Sequence, residues 1–578
     1  MATSRKTAPA REVETCRVGA ASTASAACRV QRASAGPAQL VLFGPQRAES
    51  AQTTAGLEAL AADWAAGSEF APTAIDGPFL LLGFDTARGR AALANDRFGI
   101  CPVYVHSDGE ILLFASDLDA LVAVPGTAGG LDPQAIYDYL FFHSIPGPRT
   151  IYRNVRKLGP AECLSWEGGK RSVATYWHPT FAKDDSAAPA GEDLLSALEA
   201  AVAARATPSC GAFLSGGLDS STVAGMLQKS QGQAKTFTIG FDADGYDESG
   251  YARIAAEHFG TTHHEYFVTP ADVRTALPRI AAHYGEPFGN SSAVPAYYCA
   301  HFAREHGVET MLAGDGGDEL FAGNTRYTAQ QVFDVWSRVP APLRHGLAGT
   351  YRALPWLASV PLVGKGARYI EQAEMGLPDR LQSYNFLHRF DPATVFQPAW
   401  LEQVDQRAPW AIWRDRYAEP AQASSLQRML YLDWKFTLAD NDLVKVNHMC
   451  DLAGVEVDYP MLDYGVVDLS CRLSSEALLM NGRLRGFYKH AVDTFLPAAL
   501  INKTKQGFGL PFGVWMQQEA SLRELSAAAF DSLERRHIFD PGFLSQVQQL
   551  HRDGAAGYYG ELVWVLTMLA LWFDSHDV

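Results

Sequence analysis

Phe213-Leu214-Ser215-Gly216-Gly217-Leu218-Asp219-Ser220-Ser221 is the stretch on which the reading of this chain turns. Its apolar lead-in, Gly211 to Leu214, predicts a short buried strand. Two glycines then let the backbone turn tightly and bring bare N–H groups up to an anion. Ser220, Ser221 and Thr222 open an amphipathic helix with Val223, Met226 and Leu227 on one side. The N-terminus of such a helix carries about half a positive charge. Small hydroxyls, exposed amides and a helix dipole together suit pyrophosphate, and Asp219 within the loop suits the Mg²⁺ that accompanies it. No Gly-Lys-Ser/Thr follows and the glycine spacing is not that of a dinucleotide fingerprint, so neither common phosphate loop is present. Standing alone, the stretch would read equally well as an ordinary glycine-rich strand-to-helix turn.

Further segments of the same character follow it. Thr236-Phe237-Thr238-Ile239-Gly240-Phe241 alternates as a strand does. Leu312-Ala313-Gly314-Asp315-Gly316-Gly317-Asp318-Glu319-Leu320-Phe321-Ala322-Gly323 is again a strand followed by a glycine loop. Then come Leu443-Val444-Lys445-Val446, continuing through Gly454-Val455-Glu456-Val457-Asp458-Tyr459-Pro460-Met461-Leu462-Asp463, and finally Lys503-Thr504-Lys505-Gln506-Gly507-Phe508. With these segments in this order, the chain from about Leu131 to its C-terminus resembles the pyrophosphate-loop ATPases, and among them the synthetase domain of the asparagine synthetase family.

Bulk composition bounds what such a protein can do. With 578 residues, 47% hydrophobic and 19% charged, the chain has room for two or three globular domains. A net charge of -16 argues against non-specific nucleic-acid binding, which depends on Lys and Arg neutralising phosphate. The positive field that ATP requires must be built locally. Eight cysteines without a C-x-x-C pair support neither a zinc site nor a disulfide framework, and a reducing cytoplasm fits them. The apolar run Leu562 to Phe573 is too short to span a bilayer and predicts a buried helix. Residues 1–37, rich in Ala, Ser, Thr and Arg, read as a disordered leader; their poverty in acids is also compatible with a transit peptide.

Residues 38–182 form the next unit. Short alternating strands are predicted at Phe79–Phe84, Arg90–Asn95, Val103–His106, Ile111–Ala115 and Glu162–Trp166. Asn95-Asp96-Arg97-Phe98-Gly99-Ile100 and Phe114-Ala115-Ser116-Asp117-Leu118 resemble the second half of the glutaminase domain that precedes the synthetase in this family. The resemblance implies a four-layer α/β sandwich. A polar stretch over 183–191 reads as linker. Residues 192–578 are the synthetase domain, where strands and helices alternate as in an open parallel sheet covered on both faces. Its loops 215–219 and 314–318 would meet where such sheets bind ligands. The stretch from Gln330 to about Gln422 carries no readable motif.

The resemblance assigns roles to particular residues. Leu214, Ile239, Ala313 and Gly314 would frame adenosine. Ser215, Gly216, Gly217, Asp219, Ser220 and Ser221 would hold pyrophosphate, and Asp219 and Asp318 would be the Mg²⁺ carboxylates. Lys505 maps onto the lysine that steadies the adenylate and departing pyrophosphate, with Lys445 and Lys503 in support. Asp315 and Asp442 are candidates for a base or amine-orienting group, and either also reads as a helix cap or surface carboxylate. Glu286 resembles a residue lining the acyl-acceptor side; His263 and His264, at a strand start, read as structural.

A glutaminase of this family needs cysteine as its mature first residue, whose α-amine serves as base. Here Ala2 follows Met1, and neither Arg-His-Arg-Gly-Pro-Asp nor Asn-Gly-Glu-Ile-Tyr occurs. Exposure of Cys16 by processing would not restore those glutamine-holding segments, so the N-terminal domain reads as a structural remnant. The activity implied is an ATP- and Mg²⁺-dependent ligase that makes an acyl-adenylate from a small-molecule or peptide carboxylate and passes it to ammonia or a substrate amine. An intramolecular cyclase resembling β-lactam synthetases or lasso-peptide cyclases is a second reading, and a nucleotide-binding scaffold without catalysis a third. No nucleic-acid or membrane partner is expected, and a homodimer remains open.

Overall fold

The computed structural model describes residues 29–44, 51–108, 111–183, 188–243, 245–337, 339–340, 342–344, 369–370, 372–383, 385–503, 509–554 and 556–578. Alternation builds the N-terminal sheet. Strands β1 (Arg29–Ala35), β2 (Ala38–Gly44), β3 (Leu80–Asp85), β4 (Arg90–Asn95), β5 (Tyr104–Ser107), β6 (Leu112–Ala115), β7 (Val155–Lys157), β8 (Glu162–Glu167) and β9 (Lys170–Thr175) form two antiparallel sheets, ordered β1-β2-β3-β4-β8-β9 and β6-β5-β7. Every second residue of β2 points inward, and Leu40, Leu42 and Leu81 meet Leu57 and Trp64 of the helix Ala51–Ala66. On the opposite face Leu80, Leu82 and Leu93 meet Val105 of the smaller sheet and Val103 just before it. Among the described residues the five-residue helix Leu118–Val122 also lies against the small sheet.

Strand β1 corrects the boundary of the expected leader. It pairs with β2 in register from Arg29↔Gly44 to Ala35↔Ala38, inside residues 1–37. Its inward residues include Ala33 and Ala35, so the alternation carries little hydrophobic signal and the strand is hidden by its small side chains. Residues 1–28, with Cys16, lie outside the described part. Residues 131–152, within the expected N-terminal unit, also reach the synthetase core. The helix Pro133–Phe142 packs into the synthetase core, with the Tyr139 hydroxyl donating to the Val565 carbonyl at 2.7 Å. Of the expected linker, 184–187 is not described, and the helix Gly191–Ala203 has already begun at its last residue.

The second sheet is parallel throughout. β10 (Cys210–Phe213), β11 (Lys235–Phe241), β12 (Thr262–Val268), β13 (Thr310–Leu312) and β14 (Glu456–Asp458) run in the order β12-β11-β10-β13-β14. The order reverses between β10 and β13, the switch point where such sheets open a crevice at their carboxyl ends. The helix Leu218–Gln231 is not amphipathic as expected: Ser220 through Leu227 are all buried, because it lies between the sheet and the helices Gly191–Ala203 and Ser249–Phe259. The run Leu562 to Phe573 falls in the helix Ala556–Ser575 and is almost wholly buried. Among the described residues no helix is long and apolar enough to cross a membrane.

Polar contacts fasten the two units. The Arg97 guanidinium lies 3.8 Å from the Tyr464 ring centre and 4.6 Å from that of Trp177, with Asp468 3.3 Å away. Asn447 donates to the Ile100 carbonyl at 3.0 Å. Lys157 and Glu286 form a half-buried ion pair across the boundary.

Candidate active site

Two glycine turns face each other at the switch point. After β10, Leu214 is held by its N–H to the Phe237 carbonyl (2.9 Å), and the chain turns through Gly216 at φ +68°. A Cβ at Gly216 would lie 2.5 Å from that of Tyr251, so glycine is required there by backbone angle and space alike. Ser215 and Ser220 are tied to each other, Oγ to Oγ at 3.0 Å and Ser215 N–H to Ser220 Oγ at 3.1 Å. Gly217 caps the helix without a side chain, which leaves the first-turn amides to whatever occupies the crevice. The second turn follows β13, with Gly316 at φ +98° leading into the short helix Gly317–Leu320. Here a Cβ at Gly317 would collide with the Asp219 carboxylate, so glycine lets one loop seat against the acid of the other.

The two loop aspartates converge on one cation. The Arg485 guanidinium binds Asp219 through both Nη1 (2.7 Å to Oδ2) and Nη2, and its Nη1 also reaches Asp318 Oδ1 at 3.2 Å. Arg485 is itself a backbone exception, at φ +57°, and lies 4.4 Å from the ring centre of Tyr488, whose hydroxyl meets Thr222 Oγ1 at 2.9 Å. Burial works against its charge, but the aspartates outweigh burial and hold it firmly protonated. Sequence reasoning missed Arg485. Its segment, Arg483-Leu484-Arg485-Gly486, has neither a strand nor a glycine loop, and only its cluster of basic residues hinted at an anionic site.

Further carboxylates crowd the same wall. Burial pushes Asp315 up to about 6, against the pull of Lys445 and with the push of Asp442 and Asp219. Asp442 pairs with Lys445 at 2.6 Å, so it is neither a side-chain cap nor a free surface acid. Glu319 is driven far upward by burial first and then by Asp318, Asp442 and Asp433. Lys503 pairs with Glu248 at 3.1 Å, sits 4.5 Å from the ring centre of Tyr251 and approaches the Gly216 carbonyl. Lys505 lies outside the described residues.

These groups line a cavity of about 550 Å³, within the range of small-molecule sites. Leu214, Ile239 and Gly314 border it with Ser215, Gly217, Asp219 and Ser220, and so do Asp315, Asp318 and Asp442. Gly216, Ser221 and Ala313 do not; the Ser221 side chain is wholly buried, and Ala313 is held in the sheet by its N–H to the Asp458 carbonyl at 3.0 Å. Glu286 is not brought to this cavity either. It faces Lys157 beside a small separate cavity between the two units, because the Tyr284–Phe288 segment packs on the boundary. His263 and His264 serve the sheet, the first meeting the Thr236 hydroxyl at 3.0 Å and the second stacking on Phe237. Asp458 and Asp463, at the end of the fourth motif, are held by Arg205 at 2.8 and 3.2 Å.

The N-terminal unit shows different chemistry. Asp96 is buried and spends its carboxylate on the backbone N–H groups of Phe98, Ile100 and Cys101 at 3.0–3.1 Å. Burial also raises the Cys163 thiol to about 12, which leaves it inert as a nucleophile at neutral pH.

A family profile described as "Asparagine synthase" matches residues 193–574, and one described as "Glutamine amidotransferase domain" matches residues 45–177. The chain is 28% identical to a putative glutamine-hydrolysing asparagine synthetase of Mycobacterium tuberculosis over 517 residues, 87% of this chain and 77% of the relative. It is 26% identical to glutamine-hydrolysing asparagine synthetase 1 of Bacillus subtilis over 436 residues, 74% of this chain and 66% of the relative. A putative glutamine-hydrolysing asparagine synthetase 2 of Methanocaldococcus jannaschii is 33% identical over 272 residues, 45% of this chain and 52% of the relative. With two thirds of its length matched by the synthetase profile and a glutaminase-like unit in front, the chain belongs to the asparagine synthase family of ATP-dependent, AMP-forming carbon–nitrogen ligases.

Proposed function

We propose that the chain joins a carboxylate to a nitrogen nucleophile through an acyl-adenylate, with the nitrogen not drawn from glutamine by its own N-terminal unit. The observation that carries this is the convergence of Asp219 and Asp318, from two facing glycine turns, on a single cation position beside the cavity. Magnesium is commonly held by one or two carboxylates with phosphate oxygens and water completing its shell. Asp219 and Asp318 would hold the ion, which when bound offsets phosphate charge.

The chain's own groups do the rest. The first-turn amides after Gly217 and the hydroxyls of Ser215 and Ser220 bind the β- and γ-phosphates. The substrate carboxylate oxygen bonds to the α-phosphorus as the bond to pyrophosphate breaks. Arg485, Lys503 and Lys505 supply fixed positive charge where the leaving group becomes more anionic. The amine then bonds to the acyl carbon, AMP departs, and Asp315 accepts the amine proton; with its pKa near 6 it is a carboxylate at neutral pH. Asp442, against Lys445, orients the amine.

The remnant reading of the N-terminal unit rests on the missing Arg-His-Arg-Gly-Pro-Asp and Asn-Gly-Glu-Ile-Tyr segments that would hold glutamine. Exchange of labelled pyrophosphate into ATP, driven by a panel of carboxylic acids, tests the ligase. Activity that disappears in Asp219→Ala and Asp318→Ala is expected. Normal exchange in either variant contradicts the assignment, and silence across the panel despite ATP binding favours a scaffold.

A further inference from the structure

A second cavity, of about 360 Å³, lies on the far side of Asp442 from the nucleotide cavity, and Asp442 borders both. The partition is the π-helical segment Trp434–Asp442, whose extra residue per turn presents Phe436, Thr437, Asn441 and Asp442 to the second cavity. Continuous π-helix is rare and concentrates at functional sites. The regular helix Leu443–Ala453 that follows turns Lys445 and Val446 back toward the nucleotide side. Much of the remaining lining comes from chain regions without a readable motif.

The chemistry of the lining selects its occupant. Phe142 stacks on Phe436 at 4.8 Å and 24°, and Trp413 packs against Phe436 at 4.8 Å with its ring tilted by 53°, which gives the cavity an apolar aromatic side. Its acids are Asp442 and Glu561, the second of which pairs with His143 at 3.4 Å. The one strong cation, Arg326, is committed to Asp433 at 2.6 Å and to the Thr437 hydroxyl at 3.2 Å. Its Nε is buried without an acceptor and can receive one from a ligand. Asn290 and Asn441 bond to each other at 2.6 Å beside the partition. Ammonia needs far less room: a molecule the size of water occupies about 30 Å³.

We propose that this cavity holds the nitrogen nucleophile as a primary amine on a largely apolar body bearing one hydrogen-bond acceptor, with the amine directed at Asp442. The inference rests on the ligase reading and names the class of its second substrate. The body lies along Phe142, Phe436 and Trp413, and its acceptor reaches Arg326 Nε. The nitrogen is thereby delivered to the shared wall, where Asp315 also lines the nucleotide cavity.

Tyramine is the probe, 3-(4-hydroxyphenyl)propionate its acidic isostere, and methylamine the probe without a body. Binding of each to the full chain is followed by saturation-transfer NMR with Mg²⁺ and a non-hydrolysable ATP analogue present. Tyramine is expected to bind saturably, at least tenfold more tightly than either control. Gln382→Trp, which fills the cavity, is expected to abolish tyramine binding while leaving the analogue bound; Glu561→Gln, at an exposed acid, to weaken it about threefold. Preference for the propionate overturns the inference by giving the cavity to the acid, and so does no binding of either ring compound. Tyramine binding that survives Gln382→Trp overturns it too. Failure of the analogue to bind the unaltered chain would instead remove the ligase reading, so the two failures are distinguishable.

Discussion

Buried carboxylates occur in both units of the molecule and do opposite things. In the N-terminal unit Asp96 accepts three backbone N–H bonds, which hold back the rise that burial causes and fix the loop between β4 and β5. In the synthetase unit Asp219, Asp315, Asp318, Glu319 and Asp442 share one wall, where burial and mutual repulsion raise the carboxyls of Asp315 and Glu319. A carboxylate used up by the scaffold contributes to folding. One kept beside like charges in a cavity costs stability and is available for chemistry. The same sequence element, an acid near a glycine, therefore carries a structural role in one half and a proposed catalytic role in the other.

The largest effect that could break this contrast is in Asp219→Ala. AMP release should fall about a thousandfold, at the upper end of what loss of one electrostatic group costs, while Asp96→Ala should leave the chemical step unchanged in whatever protein folds. Equal catalytic losses per folded molecule would erase the distinction. Next is Arg485→Ala, which leaves Asp219 and Asp318 without their cation. Losing one partner of a buried pair costs about 3 kcal/mol, read as a lowered denaturation midpoint, and added Mg²⁺ with ATP should restore part of it. A variant as stable as the parent would show that the clamp is incidental.

The pH profile sharpens the comparison further. Asp315 must be ionised to take the amine proton, so amide formation should lose about tenfold per unit as pH falls below about 6. Asp315→Asn should be slower and flat over that range. Stability runs the other way for this group. Its folded pKa lies above the unfolded 3.8, so the cost of burying its charge is present above about 6 and relieved as pH falls toward 4.

These effects bear on what was legible from residues alone. The glycine turns could be read because Gly216 and Gly316 answer a local demand, a positive φ in each turn. Arg485 could not, because its role exists only where the segment before the helix Gly486–Ala491 meets both loops. The second cavity was unreadable for a related reason. Phe142, Trp413, Phe436 and Glu561 come from four distant segments, and in each the residue looks like ordinary core or surface. That Glu286 pairs with Lys157 was equally unreadable, because a pattern of neighbours in sequence does not reveal a partner standing across a domain boundary.

Lys157→Met should destabilise the synthetase half by about 2 kcal/mol by leaving Glu286 half-buried and unpaired, measured as a lower midpoint with nucleotide affinity retained. That outcome assigns the N-terminal unit a supporting role. Two separate unfolding transitions with the synthetase midpoint unmoved would deny it. The smallest effect is expected in Cys163→Ser, for which release of glutamate from glutamine should stay at the background of the parent; a drop would mean that the buried thiol takes part in hydrolysis.

The account stands or falls on where the triphosphate binds. A crystal structure with Mg²⁺ and a non-hydrolysable ATP analogue should show the phosphates between the 215–219 and 314–318 turns, with one Mg²⁺ touching Asp219 and Asp318 and Arg485 moved onto phosphate. A nucleotide bound elsewhere, or the two aspartates still locked to Arg485 with no metal between them, would contradict it.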